Sequence, residues 1–319
     1  MPNLPAENFK PLGERDVLQL VEAALVAASG QPPEGELWIG DDAAVLARPK
    51  GAIVAASDSC VGGVHGDLNF VEAGDLGWRA MVATLSDIGA MGAVPWFALV
   101  NVISPSSVPV MTVMKGVAEA SATFSCPVVG GDMSSGDQVV VSVSVVGNLV
   151  GEAPALVRAG ACVGDTLFVT GPLGGSNAGL RALREGATTA GAKELISRHV
   201  RPTPRLKEGV LARAVGVNAC IDISDGLAID LDRMAIASGV GVALEYVPTA
   251  PGATLHDALS GGEDYELVFS TATADALIEG FAREGISAPI RIGEVVADAT
   301  QRTLEDAPFA VVGYQHPLH

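Results

Sequence analysis

Aromatic side chains are scarce, at 4% of the 319 residues. Any core must therefore be built from Ala, Val, Leu and Ile, which dominate a hydrophobic share of 49%. Basic residues are also few: 19 Lys and Arg stand against 37 Asp and Glu, for a formal charge of −18. That balance argues against a nucleic-acid partner, because phosphate contacts need basic patches. It leaves a nucleotide ligand open, since a bound metal can supply the positive charge. The four cysteines, Cys60, Cys126, Cys162 and Cys220, make no C-x-x-C pair. They fit neither a zinc site nor a disulfide framework and are expected to be reduced, buried thiols in the cytoplasm. Met1 to Lys10 show no basic region followed by an apolar one, so no signal peptide is expected. No uncharged apolar run of about 18 residues occurs, so no membrane span is expected. A P-loop, a convincing G-x-G-x-x-G and a G-x-S-x-G nucleophile elbow are all missing, and the five histidines are scattered.

What the chain does have is aspartate beside small residues, inside apolar sequence. Ile39-Gly40-Asp41-Asp42-Ala43-Ala44-Val45 is the first such stretch. Ser57-Asp58-Ser59, Leu85-Ser86-Asp87-Ile88, Gly130-Gly131-Asp132 and Asp222-Ile223-Ser224-Asp225-Gly226 share its character. Adjacent carboxylates repel by several kcal/mol in a partly buried setting, and a cation offsets that. Hard oxygen ligands spread over several segments suit Mg²⁺, which is held by a few carboxylates together with substrate phosphates. Each stretch alone also has a structural reading. Asp41-Asp42 and Asp132 fit turns, Asp225 a helix N-cap, Asp87 a partner for a remote arginine, and Glu263-Asp264 a hairpin turn. Taken together, five acidic segments without a P-loop favour metal-assisted phosphoryl transfer, where catalysis is mainly positioning and charge neutralisation.

Periodicity predicts mixed α and β structure, an α/β or α+β layer fold. Helices are expected over Glu14–Ala28, Asp75–Ala90, Ser107–Phe124, Asn177–Arg184, Gly226–Ser238 and Ala274–Glu284, with a further one after Arg205. Strands are expected over Ala52–Ala56, Trp96–Ile103, Pro127–Val129, Gln138–Val146, Thr166–Thr170, Val242–Val247 and Glu266–Phe269, with a strand end at Ile221–Asp225. Gln138–Val146 alternates Val with Val and Ser, so cover on both faces is expected. Gly171-Pro172-Leu173-Gly174-Gly175 precedes a helix, a setting that often cradles anions. Arg201-Pro202-Thr203-Pro204-Arg205 reads as a rigid connector. A division into units 1–149 and 150–319 is expected.

Six motifs in order, spanning nearly the whole chain, resemble the thiamine-monophosphate kinase family of the aminoimidazole-ribonucleotide-synthetase-like superfamily. They are Gly40-Asp41-Asp42-Ala43, Leu85-Ser86-Asp87-Ile88-Gly89-Ala90-Met91-Gly92-Ala93, Gly130-Gly131-Asp132, Arg201-Pro202-Thr203-Pro204-Arg205, Asp222-Ile223-Ser224-Asp225-Gly226-Leu227 and Gly261-Gly262-Glu263-Asp264-Tyr265-Glu266-Leu267. The resemblance implies two α/β domains, with the N-terminal one binding ATP and dimerising through its sheet. It implies ATP-dependent phosphorylation of thiamine monophosphate by direct transfer, with several Mg²⁺ ions. By motif, it implies Mg²⁺ ligands at Asp42, Ser57, Asp58, Asp87, Asp132, Asp222 and Asp225. It implies ATP contacts at Gly131, Asp132, Arg158 and Ser224, and substrate contacts at His65, Glu263 and Tyr314. The sequence departs from the family pattern at Ser57 in place of Thr, at Gly66-Asp67 after His65, at Met133 after Gly-Gly-Asp, and in the tail Gly313-Tyr314-Gln315-His316-Pro317. Two alternatives remain open: another activity of the same superfamily, such as selenophosphate synthesis or the purine-pathway cyclisation, and a nucleotide- or metal-sensing dimer without turnover.

Overall fold

The computed structural model describes residues 13–39, 43–47 and 51–316. Two sheets divide these residues. The first contains β1 (Ile53–Val61), β2 (Val94–Ser104), β3 (Val128–Ser135) and β4 (Val140–Asn148), in the order β1-β4-β2-β3. β4 pairs antiparallel with β1 and β2, and β3 runs parallel to β2. On β4 the side chains of Val141, Val143 and Val145 are fully buried. They lie under α2 (Ala73–Ala90), while α3 (Ser107–Phe124) reaches β2 and α1 (Glu14–Ser29) packs on α3. This inner face is nearly pure valine and alanine, as the shortage of aromatics requires.

The expectation that β4 is covered on both faces holds for one face of a single chain. On the outer face Ser57 meets Ser144 at 2.9 Å and Ser59 meets Ser142 at 2.7 Å. Leu99 and Ile103 stand on the same outer face, 40% and 39% exposed. Two expected strands are also longer than their apolar cores. β1 continues through Ser57-Asp58-Ser59, and β3 contains Gly130-Gly131-Asp132. Ladder pairing to β4 and β2 carries these polar residues along; the sequence pattern had ended both strands where the apolar run ends.

The second sheet orders β11-β10-β7-β9-β5-β8-β6. Its strands are β5 (Thr166–Val169), β6 (Ala219–Asp222), β7 (Gly241–Leu244), β8 (Leu267–Thr271), β9 (Ile290–Val296), β10 (Arg302–Leu304) and β11 (Ala307–Pro308). All neighbours are antiparallel except β7 and β10. The helices are α4 (Gly175–Arg184), α5 (Ala190–Val200), α6 (Leu206–Val215), α7 (Leu227–Ser238), α8 (Leu255–Ser260) and α9 (Ala274–Arg283). Several of the few phenylalanines are spent here: Phe168, Phe269 and Phe281 are buried, and the last two rings meet edge-on at 6.2 Å. α5, α8 and β9 to β11 have no counterpart among the expected elements.

α2 packs on α3 within the first half and on α6 of the second, and small residues let it do both. A Cβ on Gly116 of α3 would lie 1.8 Å from the Gly74 carbonyl oxygen, and one on Gly209 of α6 would lie 1.9 Å from that of Gly89. Both crossings therefore depend on bare backbone. The connector at 201–205 closes over the same helix. The Trp78 indole donates to the Pro202 carbonyl at 2.9 Å, and the Arg201 guanidinium lies 5.0 Å from the Trp78 ring centroid. Arg201 also pairs with Asp75 at 2.7 Å and with Glu119. These contacts hold the second half against the helix that carries Asp87.

Candidate active site

Four pieces of chain meet beside α2. β1 brings Asp58 on its inner face, since Asp58 pairs with buried Val143. α2 brings Asp87. β6 ends in Asp222, which is 4% exposed and accepts a hydrogen bond from the Ser86 hydroxyl at 2.8 Å. Arg158 lines a cavity of about 250 Å³ with Asp87 and Asp222. None of the ion pairs among the described residues includes Asp58, Asp87 or Asp222. The remote-arginine partner considered for Asp87 is thus absent as a direct ion pair; Arg158 acts only at longer range.

The electrostatics of this cluster are unfavourable for three negative charges. Burial, then the charge of Asp87, pushes the Asp222 carboxyl up to about 7 against the opposing pull of Ser86 and Arg158. Burial, then the charge of Asp58, pushes Asp87 up to about 6. Asp58 is also raised, chiefly by burial. Its Oδ2 atom is buried without a hydrogen-bond partner. An orphaned carboxylate oxygen among repelling carboxylates fits a hard cation. As they stand, no three His, Cys, Asp or Glu side chains among the described residues converge closely enough to hold one.

The other residues considered for metal or nucleotide contact lie elsewhere. Asp42 falls outside the described residues. Ser57 points to the outer face, with its hydroxyl 3.2 Å from the Val143 carbonyl. Asp132 pairs in register with Asn101, which pairs with Ser142, so it too stands on the outer face. It sits on β3, three strand spacings from β1, about 14 Å across the sheet. Asp225 pairs with Arg233 at 2.6 Å and does not cap α7. The loop it occupies is held instead by Asp230, whose Oδ2 accepts the backbone N–H groups of Ser224, Asp225 and Gly226 at 3.1, 2.9 and 3.1 Å. The glycine-rich turn before α4 is filled by a carboxyl group of the chain itself. Asp264 accepts the N–H groups of Gly174 and Ser176 at 2.6 and 3.1 Å.

Gly131 shows why β3 needs glycine. Its φ is 155°, and a Cβ there would lie 1.8 Å from the Val100 carbonyl oxygen. Gly131→Ala is therefore expected to lower stability by more than about 2 kcal/mol, because strain and a backbone clash coincide. A chemical denaturation midpoint equal to that of the parent would contradict this.

A second cluster gathers rings and one carboxylate. The Tyr314 N–H donates to the Asp225 carbonyl at 2.9 Å and pins the tail to the β6–α7 loop. Tyr314 and His316 meet edge-on at 4.9 Å, and His316 lies 5.3 Å from the His65 ring. His65 Nδ1 accepts the Val61 N–H at 3.1 Å, which leaves the proton on Nε2. Burial lowers its pKa, against the opposing pull of Glu263. Glu263 has a left-handed φ of 56°, and its loop is tied to the β6–α7 segment by Glu263 N–H to Ser224 O at 2.7 Å. Burial disfavours its charge, but Arg79 outweighs burial and holds its pKa below the ordinary glutamate range.

The sequence reading missed Arg79, His199, Asp230 and His316. Arg79 carried the signal that singled out Asp87, a charge in an apolar helix, within Trp78-Arg79-Ala80-Met81-Val82. The cysteines offer no competing nucleophile at the site: burial pushes the Cys60 thiol up to about 12. Cys162 is exposed, contrary to expectation.

Residues 40–149 match the family described as AIR synthase related protein, N-terminal domain, and residues 163–304 match its C-terminal domain. A thiamine-monophosphate kinase of Corynebacterium glutamicum is 36% identical over 285 residues, 83% of each chain. The chain belongs to the thiamine-monophosphate kinase family. Among solved members, thiamine-monophosphate kinase from Stenotrophomonas maltophilia K279a superposes with a TM-score of 0.81 at 30% identity, covering 91% of this chain and 97% of that one. AaThiL complexed with AMPPCP and TMP superposes with a TM-score of 0.74 at 28% identity, covering 97% and 100%. The two-domain α/β fold expected from the motifs is the family's fold.

Proposed function

We propose that this chain transfers the γ-phosphoryl group of ATP to thiamine monophosphate, giving thiamine diphosphate and ADP. The observation that carries this reading is the group of half-buried Asp58 and Asp87 with buried Asp222, which has no ion-pair partner and includes an orphaned carboxylate oxygen. Family membership supports it, as does a related structure bound to an ATP analogue and TMP.

Donor and acceptor are both anions, so their approach is opposed unless charge is removed. Asp58, Asp87 and Asp222 would hold Mg²⁺ between the halves, with Asp42, Ser57, Asp132 and Asp225 as the further ligands the motifs imply, and the bound ion would supply that neutralisation. Gly131, Asp132, Arg158 and Ser224 hold ATP. A cavity of about 500 Å³ beside Gly130–Asp132, walled by Leu18, Val21, Leu25, Ile39 and Met133, suits the nucleotide base. His65, Glu263 and Tyr314 hold thiamine monophosphate, with the carboxylate and rings matched to a cationic thiazolium. Transfer is direct and in line. An acceptor phosphate oxygen bonds to the γ-phosphorus as its bond to the β,γ-bridging oxygen breaks, and ADP leaves. The buried, protonated Cys60 is no phospho-acceptor, and the aspartates are committed to metal.

The protein acts as a homodimer through the first sheet. β1 and β3 are that sheet's two edges, and unpaired edges invite pairing with a second copy. A dimer closed at those edges would set the β3 edge carrying Asp132 in one copy near the β1 edge carrying Asp58 in the other, shortening the distance of about 14 Å across one sheet although the two side chains leave their strands on opposite faces. The same reading divides the chain into an ATP-binding and dimerising unit, 1–149, and a second α/β unit, 150–319. It places the protein in the cytoplasm; no helix among the described residues is long and apolar enough to cross a membrane.

The test is to incubate the purified protein with Mg·ATP and thiamine monophosphate and to look for thiamine diphosphate and ADP in equal amounts. Binding of Mg·ATP without product would favour a sensing dimer. ADP–ATP exchange without acceptor would replace direct transfer with a phosphoenzyme.

A further inference from the structure

Arg79 is 1% exposed, yet it lies on α2 among apolar neighbours. Its guanidinium reaches across to the second half of the chain. Nη2 donates to Glu263 Oε1, and Nη1 donates to the backbone carbonyl of His199. Nη1 also lies 3.3 Å from His199 Nδ1. Arginine only donates, so His199 accepts there. Burial lowers the His199 pKa to about 4, and the Arg79 charge adds to the effect, so the imidazole is neutral. Its ring is steadied by the Ser176 hydroxyl at 3.1 Å.

Two features show the direction of control. The guanidinium is fixed to a backbone carbonyl of α5, which does not move with the Glu263 side chain. Its Nε–H is buried without a partner. Glu263 in turn has one oxygen held by Arg79, while Oε2 lies 3.9 Å from His199 Nδ1, and 28% of the side chain remains exposed. The result is a carboxylate clamped at one oxygen and presented by the other.

We propose that Arg79 is the positioning residue for substrate recognition: it sets the Glu263 carboxylate, from inside the domain junction, in the orientation that receives a cationic heteroaromatic substrate. This rests on the reading of Glu263 as a substrate contact. Arg79 does not touch the substrate or the nucleotide; its effect passes through Glu263. Because the clamp joins α2 to the 261–266 loop, it also couples substrate recognition to correct docking of the two halves.

The experiment compares separate KM values for Arg79→Lys, for Glu263→Gln and for a double variant that carries Glu263→Gln with Arg79→Gln. Arg79→Lys keeps the charge but loses the fork that engages Glu263 and the His199 carbonyl together. It is expected to raise KM for thiamine monophosphate about tenfold, the scale of a small misplacement, with KM for ATP changed less than about twofold. Glu263→Gln is expected to raise the same KM at least as much. In the Glu263→Gln background, Arg79→Gln removes the second buried charge while leaving amide hydrogen bonding. That pair is expected to fold even where Arg79→Lys does not, and to show no further rise in KM beyond Glu263→Gln alone. A further rise in KM in the double variant beyond Glu263→Gln alone, or an equal rise in KM for ATP, would overturn the proposal. If Glu263→Gln raised KM and Arg79→Lys did not, only the positioning role would fall. If Glu263→Gln left KM unchanged, the substrate reading of Glu263 would fall and take this proposal with it.

Discussion

Asp87→Asn is expected to lower turnover by orders of magnitude while leaving the metal-free protein at least as heat-stable as the parent. Asp87 faces Asp58 and Asp222 with no ion-pair partner, and burial together with Asp58 holds its carboxyl up to about 6. Asparagine keeps the size and removes one repelling charge, so the apo fold loses nothing electrostatic. The turnover loss follows because each bound cation offsets several kcal/mol of charge in the transition state, and about 1.4 kcal/mol is tenfold in rate. The alternative, a buried arginine partner, would instead cost the apo protein about 3–5 kcal/mol on substitution. Metal-free thermal melts and a turnover assay on one variant separate the two. A variant with near-normal turnover and a much lower melting point would refute the metal role.

The same carboxyls fix the sign of a pH effect. Asp87 and Asp222 have folded pKa values above the unfolded carboxylate value of 3.8. The native state therefore binds protons more tightly than the unfolded chain, and stability falls as pH rises through about 6 and about 7. Without metal, the melting point is expected to drop between about pH 4 and pH 7 and then level off, and added Mg²⁺ is expected to shrink that drop. A metal-free melting point that climbs over the same range would remove this account of the cluster.

How much of this was legible beforehand depends on the range of each interaction. The α2 and α3 helices, the alternation of β4 and the acid-bearing stretches were visible because each follows from local periodicity or local composition. Strand ends were not. Ser57-Asp58-Ser59 reads as lying past a strand end, and Asp132 as a turn residue, until β4 and β2 pair with them. The face each residue takes was hidden for the same reason: neighbours Ser57 and Asp58 point to opposite sides of one strand. Asp225 looked like an N-cap, but Asp230, one turn into α7, reaches back to the three N–H groups. The glycine-rich turn before α4 was legible as a site; that Asp264 fills it, from about 90 residues later in the chain, was not. Arg79 carries the same local signal as Asp87, but its partners Glu263 and His199 lie 184 and 120 residues away in the chain, beyond any local pattern.

The second large effect is recovery of activity on mixing two inactive variants. Asp58→Asn and Asp132→Asn are each expected to lose turnover by orders of magnitude, since each would remove one ligand from the proposed metal set. Within one chain these residues stand on opposite edges and opposite faces of the first sheet, about 14 Å apart across three strand spacings. A site needing both is incomplete in a single copy. If the partner subunit supplies Asp132, a dimer containing one of each variant holds one site with both aspartates intact and one site lacking both. Equal mixing after reversible dissociation makes about half of all dimers mixed, so activity should recover to about a quarter of the parent value. If both aspartates act within one chain, every site in every dimer carries one defect and nothing is regained. The readout is thiamine diphosphate formed by the mixture against each variant alone, with light scattering to establish that dimers have re-formed. Re-formed mixed dimers without recovered activity would rule out the shared site and leave Asp132 serving the nucleotide on its own sheet edge.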